Sequence, residues 1–323
     1  MDPIQLINPA TGAPLHPQGD HLVDKEGNLF YRKRGAWRFV SDDNYASSFG
    51  FQWNKFEKTQ IDRFAQGVDQ SARRFMAVTN WDQENLANKN VLEVGSGAGR
   101  FTHVVLNQTA ANLYSVDYSN AVQANFTNNG AHVRLSLFQA SVYELPFAPA
   151  QFDKVFCFGV IQHTPDVKAT VRSLAAMVKP GGQLFVDFYP VKGWYTKIHA
   201  KYFFRPFTRR MNEEKLLSWI ERNADRWIRQ YRFLSRIKLG LLTRFLPICD
   251  IDGTLPPNLD EATLREWVVL DTFDMFSPAY DQPQKLEEVV SWFREFGFES
   301  IVGDVKRYEA RNTVTYVKGN KKF

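Results

Sequence analysis

The residues best able to do chemistry sit where apolar runs end. Val91-Leu92-Glu93-Val94-Gly95-Ser96-Gly97-Ala98-Gly99-Arg100-Phe101 reads as a buried strand, a glycine turn and the first turn of a helix. Such a turn has no side chains to block a ligand, and a helix start offers free backbone N–H groups. A dinucleotide site would show G-x-G-x-x-G. Here the third glycine comes one residue early, and Glu93 stands two places before the first. A second acid, Asp117, ends Leu113-Tyr114-Ser115-Val116-Asp117, 22 residues after Gly95. A carboxylate there can accept hydrogen bonds from both hydroxyls of a ribose. His163 precedes Thr164 and Pro165, which are placed to cap and begin a helix. The positive end of that helix disfavours imidazolium, and a neutral imidazole is what a general base requires. The alternative, that His163 only packs against a strand end or holds the loop, stays open.

These residues need a scaffold, and the chain supplies a regular one. Strands are expected at 91–95, 112–117, 133–139, 153–158 and 183–189, with helices at about 99–109, 119–128 and 165–178. That alternation predicts a parallel sheet covered on both faces, with right-handed crossovers. Ligands in such sheets bind beyond the C-terminal strand ends, at the switch in strand order. Asp187 and Tyr189 lie near one such end, and Asp187 can equally pair with an arginine of the segment that follows. Ser119 is expected to cap the helix after the second strand.

The glycine spacing, Glu93, Asp117, Gln139-Ala140-Ser141-Val142 and the Lys179-Pro180-Gly181-Gly182 turn before the fifth strand resemble the class I S-adenosylmethionine (SAM) dependent methyltransferases. The resemblance covers about 88–189, and 284–318 by order of elements. It implies an α/β fold with a Rossmann-like seven-stranded sheet, helices on both faces, a small N-terminal β-rich lead-in and a helical lid insertion. It implies SAM contacts at Glu93, Gly95, Ser96, Gly97, Gly99, Asp117, Tyr118, Ala140, Val142, Phe158 and Gly159. Ser141 stands where many relatives carry an aspartate toward the adenine. Gln52 and Trp53, in an aromatic-rich run, are expected near the SAM carboxylate or methyl. His163 is the candidate base; Tyr189, Asp187 and Tyr280 are candidate substrate residues. An O-methyl product on a small molecule is the reading favoured by a histidine base, with RNA methylation, N-methylation or a non-catalytic SAM-binding subunit as rivals.

Four segments follow: a β-rich 1–50, a SAM-binding core 51–189, a basic and aromatic lid 190–283, and a closing helix with two antiparallel strands at 284–323. The N-terminal segment resembles a zinc ribbon without its metal cysteines, so no metal is expected. Two cysteines, Cys157 and Cys249, cannot build a disulfide framework. No signal peptide or spanning apolar run is visible, so the cytoplasm is expected. Residues 190–245 hold 14 Lys/Arg against 4 Asp/Glu, a local excess of +10 in a chain of net +5. That excess predicts an anionic acceptor. No DNA partner is expected, and no RNA-binding module is visible. Residues 233–245 are basic and amphipathic. A helix packed over the active site is the commoner reading than one resting on a membrane, and Gly240 weakens the latter.

Overall fold

A computed structural model describes residues 4–64 and 69–323. The chain builds one mixed sheet from eleven strands: β1 (His16–Gln18), β2 (His21–Val23), β3 (Leu29–Lys33), β4 (Ala36–Arg38), β5 (Asn90–Val94), β6 (Asn112–Asp117), β7 (Leu135–Gln139), β8 (Phe152–Cys157), β9 (Val178–Phe188), β10 (Phe298–Glu309) and β11 (Asn312–Lys321). Their spatial order is β1-β2-β3-β4-β7-β6-β5-β8-β9-β11-β10. Strands β5 to β9 are mutually parallel; β11 runs antiparallel to β9, with Val317 opposite Val186.

Burial on both faces explains why the central strands read as apolar runs rather than alternations. Every residue of β5 is buried. The chain winds outward from β5 through β6 to β7, then returns to lay β8 on the other side of β5. The strand order therefore reverses at the C-terminal ends of β5 and β8, which opens a crevice there.

The seven-stranded expectation needs one correction. Residues 16–38 do not stand apart as a lead-in: β4 pairs in parallel with β7, Ala36 opposite Leu137, so β1 to β4 extend the sheet beyond seven strands. Ala36 lies wholly buried beneath Val122 and Leu137, which gives the added edge its own small core.

Helices α1 (Ser47–Lys55) and α2 (Gln70–Thr79) precede the core; α3 (Arg100–Gln108), α4 (Val122–Asn129) and α5 (Val167–Met177) connect its strands. Two caps differ from expectation. Asp166, not Thr164, caps α5 by accepting from Ala169 N at 2.9 Å. Ser119 sits two residues before the Ala121 cap of α4, in the turn, where its hydroxyl donates to Asp117.

The segment after β9 forms a cap from α6 (Ala200–Thr208), α7 (Glu213–Arg236), the single turn α8 (Ile251–Thr254) and α9 (Glu261–Phe276). Helix α9 is buried nearly all round, the pattern of a helix at the centre of its own core. Trp267, Phe273 and Phe276 pack there against Ile220 and Trp227 of α7. Each such side chain, fully buried, contributes about 1.5–3 kcal/mol. Helix α10 (Leu286–Glu295) then returns the chain to β10 and β11. Residues 233–245 do not cover the crevice as one helix: α7 stops at Arg236, and 240–245 form a short tight turn with Leu241, Leu242 and Phe245 exposed.

Candidate functional site

A cavity of about 460 Å³ opens at the strand ends, between the sheet and the cap. Its floor is the glycine turn. Gly95 N and Ser96 N both donate to Val116 O, at 2.7 and 3.2 Å, which ties the turn to the end of β6. Gly95 has φ +84, and a Cβ there would lie 2.2 Å from a Val160 methyl. Gly97 has φ +53, and a Cβ would lie 3.1 Å from the Trp53 indole nitrogen. Only glycine satisfies both the backbone and the space. Asp117 accepts from Gly97 N at 2.7 Å and from Ser119 N and Oγ at 2.8 and 2.7 Å. Burial raises its pKa against those hydrogen bonds. A carboxylate has about four acceptor positions, so one remains for a ligand. Ser96 Oγ and Gln52 Oε1 are buried on this cavity with no partner among the described residues.

The opposite wall is made of side chains. His163 is buried, and its Nδ1 lies 3.0 Å from Tyr280 O. A carbonyl only accepts, so Nδ1 carries the proton and Nε2 carries the lone pair. Nε2 is buried and unpartnered, and His163 lines the cavity. Its pKa is lowered, and burial is the largest cause, rather than the helix end suggested by the sequence. Phe49 and Tyr189 hold the ring, with centroids 5.2 and 5.5 Å away. Beside it Gln162 is fully buried, and neither of its amide atoms has a partner.

Charges around this wall are mostly paired. Arg74 of α2 reaches Asp187, which also accepts from Gly159 N. Burial opposes the Arg74 charge, but Asp187 outweighs it and raises the pKa. Lys201 of α6 bonds Asp281 at 2.6 Å. Asp271 and Asp274 of α9 make no ion pair among the described residues. Burial, and then the neighbouring Asp274, push Asp271 up to about 7. Gln60 Nε2 donates to Asp271 at 3.1 Å, and Tyr189 OH lies 3.4 Å from Asp274.

Comparison with known families agrees with this geometry. Residues 92–186 match the methyltransferase domain family. Residues 92–186 are thus a SAM-dependent methyltransferase domain of class I. A tRNA U34 carboxymethyltransferase from Campylobacter curvus is 33% identical over 105 residues, 32% of this chain and 35% of that protein. A ubiquinone biosynthesis O-methyltransferase from Pseudomonas fluorescens is 35% identical over 112 residues, 33% of this chain and 47% of that protein. The chain thus spans less than half the length of these curated relatives. Among solved structures, a phosphoethanolamine N-methyltransferase 2 from Haemonchus contortus aligns over 89% of this chain and 62% of that one, at 14% identity and a TM-score of 0.49. That likeness is too slight to say anything of this chain.

Within the methyltransferase domain, Gly95, Ser96, Gly97, Asp117, Tyr118, Ala140, Val142, Phe158 and Gly159 line the cavity, as do Gln52 and Trp53 from the preceding helix α1. The open turn and the orphaned Ser96 and Gln52 oxygens fit a ligand as polar as SAM. Three expected contacts lie elsewhere. Glu93 points into the domain, where its carboxylate accepts from Thr102 and Ser115. Gly99 begins α3 beneath Asn125, whose Oδ1 would meet a Cβ at 2.3 Å. Ser141 Oγ accepts from its neighbour Tyr143 N at 3.2 Å and stays off the cavity. Of the substrate candidates, Asp187 and Tyr189 line the cavity. The Tyr280 ring instead packs on Tyr45, and only its carbonyl serves the site. Asp187 pairs with Arg74 of the N-terminal part, not with an arginine of the cap. Sequence reasoning missed Arg74, Gln162 and Lys201. Asp271 and Asp274 fall in the aromatic run 271–280 whose composition is unusual, and that was their only signal.

Proposed function

We propose that this chain methylates a hydroxyl group of a polar small molecule, with His163 as the general base. The donor, SAM, supplies a methyl carbon already activated by its sulfonium. The protein's own task is to hold the acceptor in line, remove its proton and exclude water. Alignment of this kind is worth about 7–11 kcal/mol. The observation that carries the reading is the His163 tautomer: Nδ1–H is committed to Tyr280 O, the basic Nε2 is left without a partner among the described residues, and the residue lines the same cavity as the glycine turn. Gln162, Tyr189 and Asp274 stand nearby with donors and acceptors for further hydroxyls. The cap residues Trp267 and Met275 add apolar surface to the cavity lining.

Of the basic residues of the lid, Lys192 and Lys201 line the cavity, Lys201 paired with Asp281, so the charge of the acceptor is left to analysis of the product. The exposed bases Lys197, Arg209, Arg210, Arg236 and Lys238 are not on the cavity, whereas Asp271 and Asp274 are. The test is to incubate the protein with labelled SAM and fractionated small molecules, then locate the added CH₂ by mass spectrometry. A methyl ether is the expected product. Label on nitrogen or carbon, or in an RNA fraction, overturns the reading.

A further inference from the structure

The cap carries an outer surface that methyl transfer does not use. Trp194 is 87% exposed, Leu241 85%, Phe203 73% and Phe207 71%. Ile198, Ile237, Leu239, Leu242 and Phe245 are exposed as well. Phe203 and Phe207 fall four apart on α6, on one side of the helix. The two stretches that hold these residues meet in space: Arg244 donates to Tyr195 O at 2.8 Å and lies over the Tyr195 ring. Exposed apolar side chains scattered singly need no explanation, but a concentration of this size does.

Charge decides what fits against it. Residues 188–212 contain six Lys/Arg and no Asp or Glu, and residues 226–249 repeat that composition. Lys197, Arg209, Arg210, Arg236 and Lys238 are exposed and make no ion pair with a described residue. We propose that this face docks on the surface of an anionic phospholipid bilayer, the apolar side chains entering the acyl boundary and the bases meeting lipid phosphates. A second copy of the chain would set the same positive strips against each other. RNA would satisfy the bases and stack on aromatic rings, but Ile198, Ile237, Leu239, Leu241 and Leu242 have nothing to stack.

The surface adjoins the cavity. Pro190 and Lys192 line the cavity, and Trp194 follows two residues later. If the methyl-transfer reading holds, docking sets the cavity beside the bilayer, where a polar, hydroxyl-bearing acceptor group carried on an apolar tail would be held.

The full chain is to be sedimented with vesicles of phosphatidylcholine alone, and with phosphatidylglycerol added. Binding is expected only to the second, and is expected to fall with salt. The double variant Trp194→Ser, Leu241→Ser should lower partitioning about tenfold or more. Its melting temperature and SAM affinity should not change, because both side chains face outward. Absence of vesicle binding overturns the proposal, as does undiminished binding by the double variant. Retention on bulk RNA with vesicles left unbound overturns it in favour of nucleic acid. A dimer that the double variant dissociates, with no vesicle binding, overturns it in favour of self-association. Vesicle binding needs neither donor nor acceptor, so its failure leaves the methyl-transfer reading standing.

Discussion

The two walls of the cavity are built differently. The donor wall is mostly backbone at the ends of β5, β6, β7 and β8, where glycines and short turns continue the sheet itself. The acceptor wall is side chains mounted on α2, the loop after β8, β9, α6 and α9, contributed by residues as far apart as Arg74 and Asp274. The difference teaches where each wall can change. A substitution in the donor wall disturbs sheet and ligand together. Much of the acceptor wall hangs on a cap with its own core of Trp227, Trp267 and Phe276. That wall can be rebuilt for another acceptor while the sheet stays as it is.

Arg74 and Asp187 are the strongest test, because they join the two walls. Asp187 is almost fully buried, on Arg74 to one side and Gly159 N to the other. Arg74→Met leaves that carboxylate without a counter-charge and is expected to cost about 3–5 kcal/mol of stability in denaturant titration. Adding Asp187→Asn removes the orphaned charge and should restore most of the loss. A single-variant cost under about 1 kcal/mol, the range of an exposed pair, would mean that the walls are not coupled here. Next in size is Gly97→Val. The left-handed backbone and the displacement of Trp53 should together lower SAM affinity about 100-fold. Calorimetry showing undiminished affinity would remove the glycine turn from the donor site.

The third test separates the walls by readout. His163→Gln should leave SAM affinity intact and lower turnover by about 100-fold or more. The imidazole must be neutral to act, and burial places its pKa below the ordinary histidine value. Activity of the unaltered protein should therefore fall only on the acid side of that ordinary value. The variant should lack that limb. A retained limb would assign it to another group and end the role of His163.

The same contrast explains what the sequence makes visible. Buried parallel strands read as apolar runs, and a glycine turn after a strand is a local pattern, so the sheet and the donor wall are written in contiguous residues. The pairing of Ala36 with Leu137 leaves no local trace, because a three-residue strand shows too little pattern to declare its neighbour. The pairs Arg74–Asp187 and Lys201–Asp281 likewise join charges far apart in the chain. His163 was visible as a candidate, yet the carbonyl that fixes its tautomer comes from Tyr280, more than a hundred residues on. The break in rhythm after β9 announces a cap; which of its faces turns outward depends on packing alone.

Glu93 gives the smallest and most discriminating test, because its motif position suggests the donor wall and its contacts place it inside the domain. Burial pushes its carboxyl up to about 7, against hydrogen bonds from Thr102 and Ser115. The unfolded chain releases this proton near 4.5. Between those values the folded state binds more protons than the unfolded one, so stability falls as pH rises from about 4.5 to 7 and levels off above. Glu93→Gln removes that contribution while keeping an acceptor for Thr102 or Ser115. Its stability should decline less steeply across the window; Asp271, also pushed up to about 7, and Asp117, raised by burial, keep part of the slope, and His163, lowered by burial, opposes it. SAM affinity should stay within about threefold, less than 1 kcal/mol. A loss of tenfold or more with the fold intact would mean that Glu93 does reach the donor, and the line drawn between the two walls would have to move.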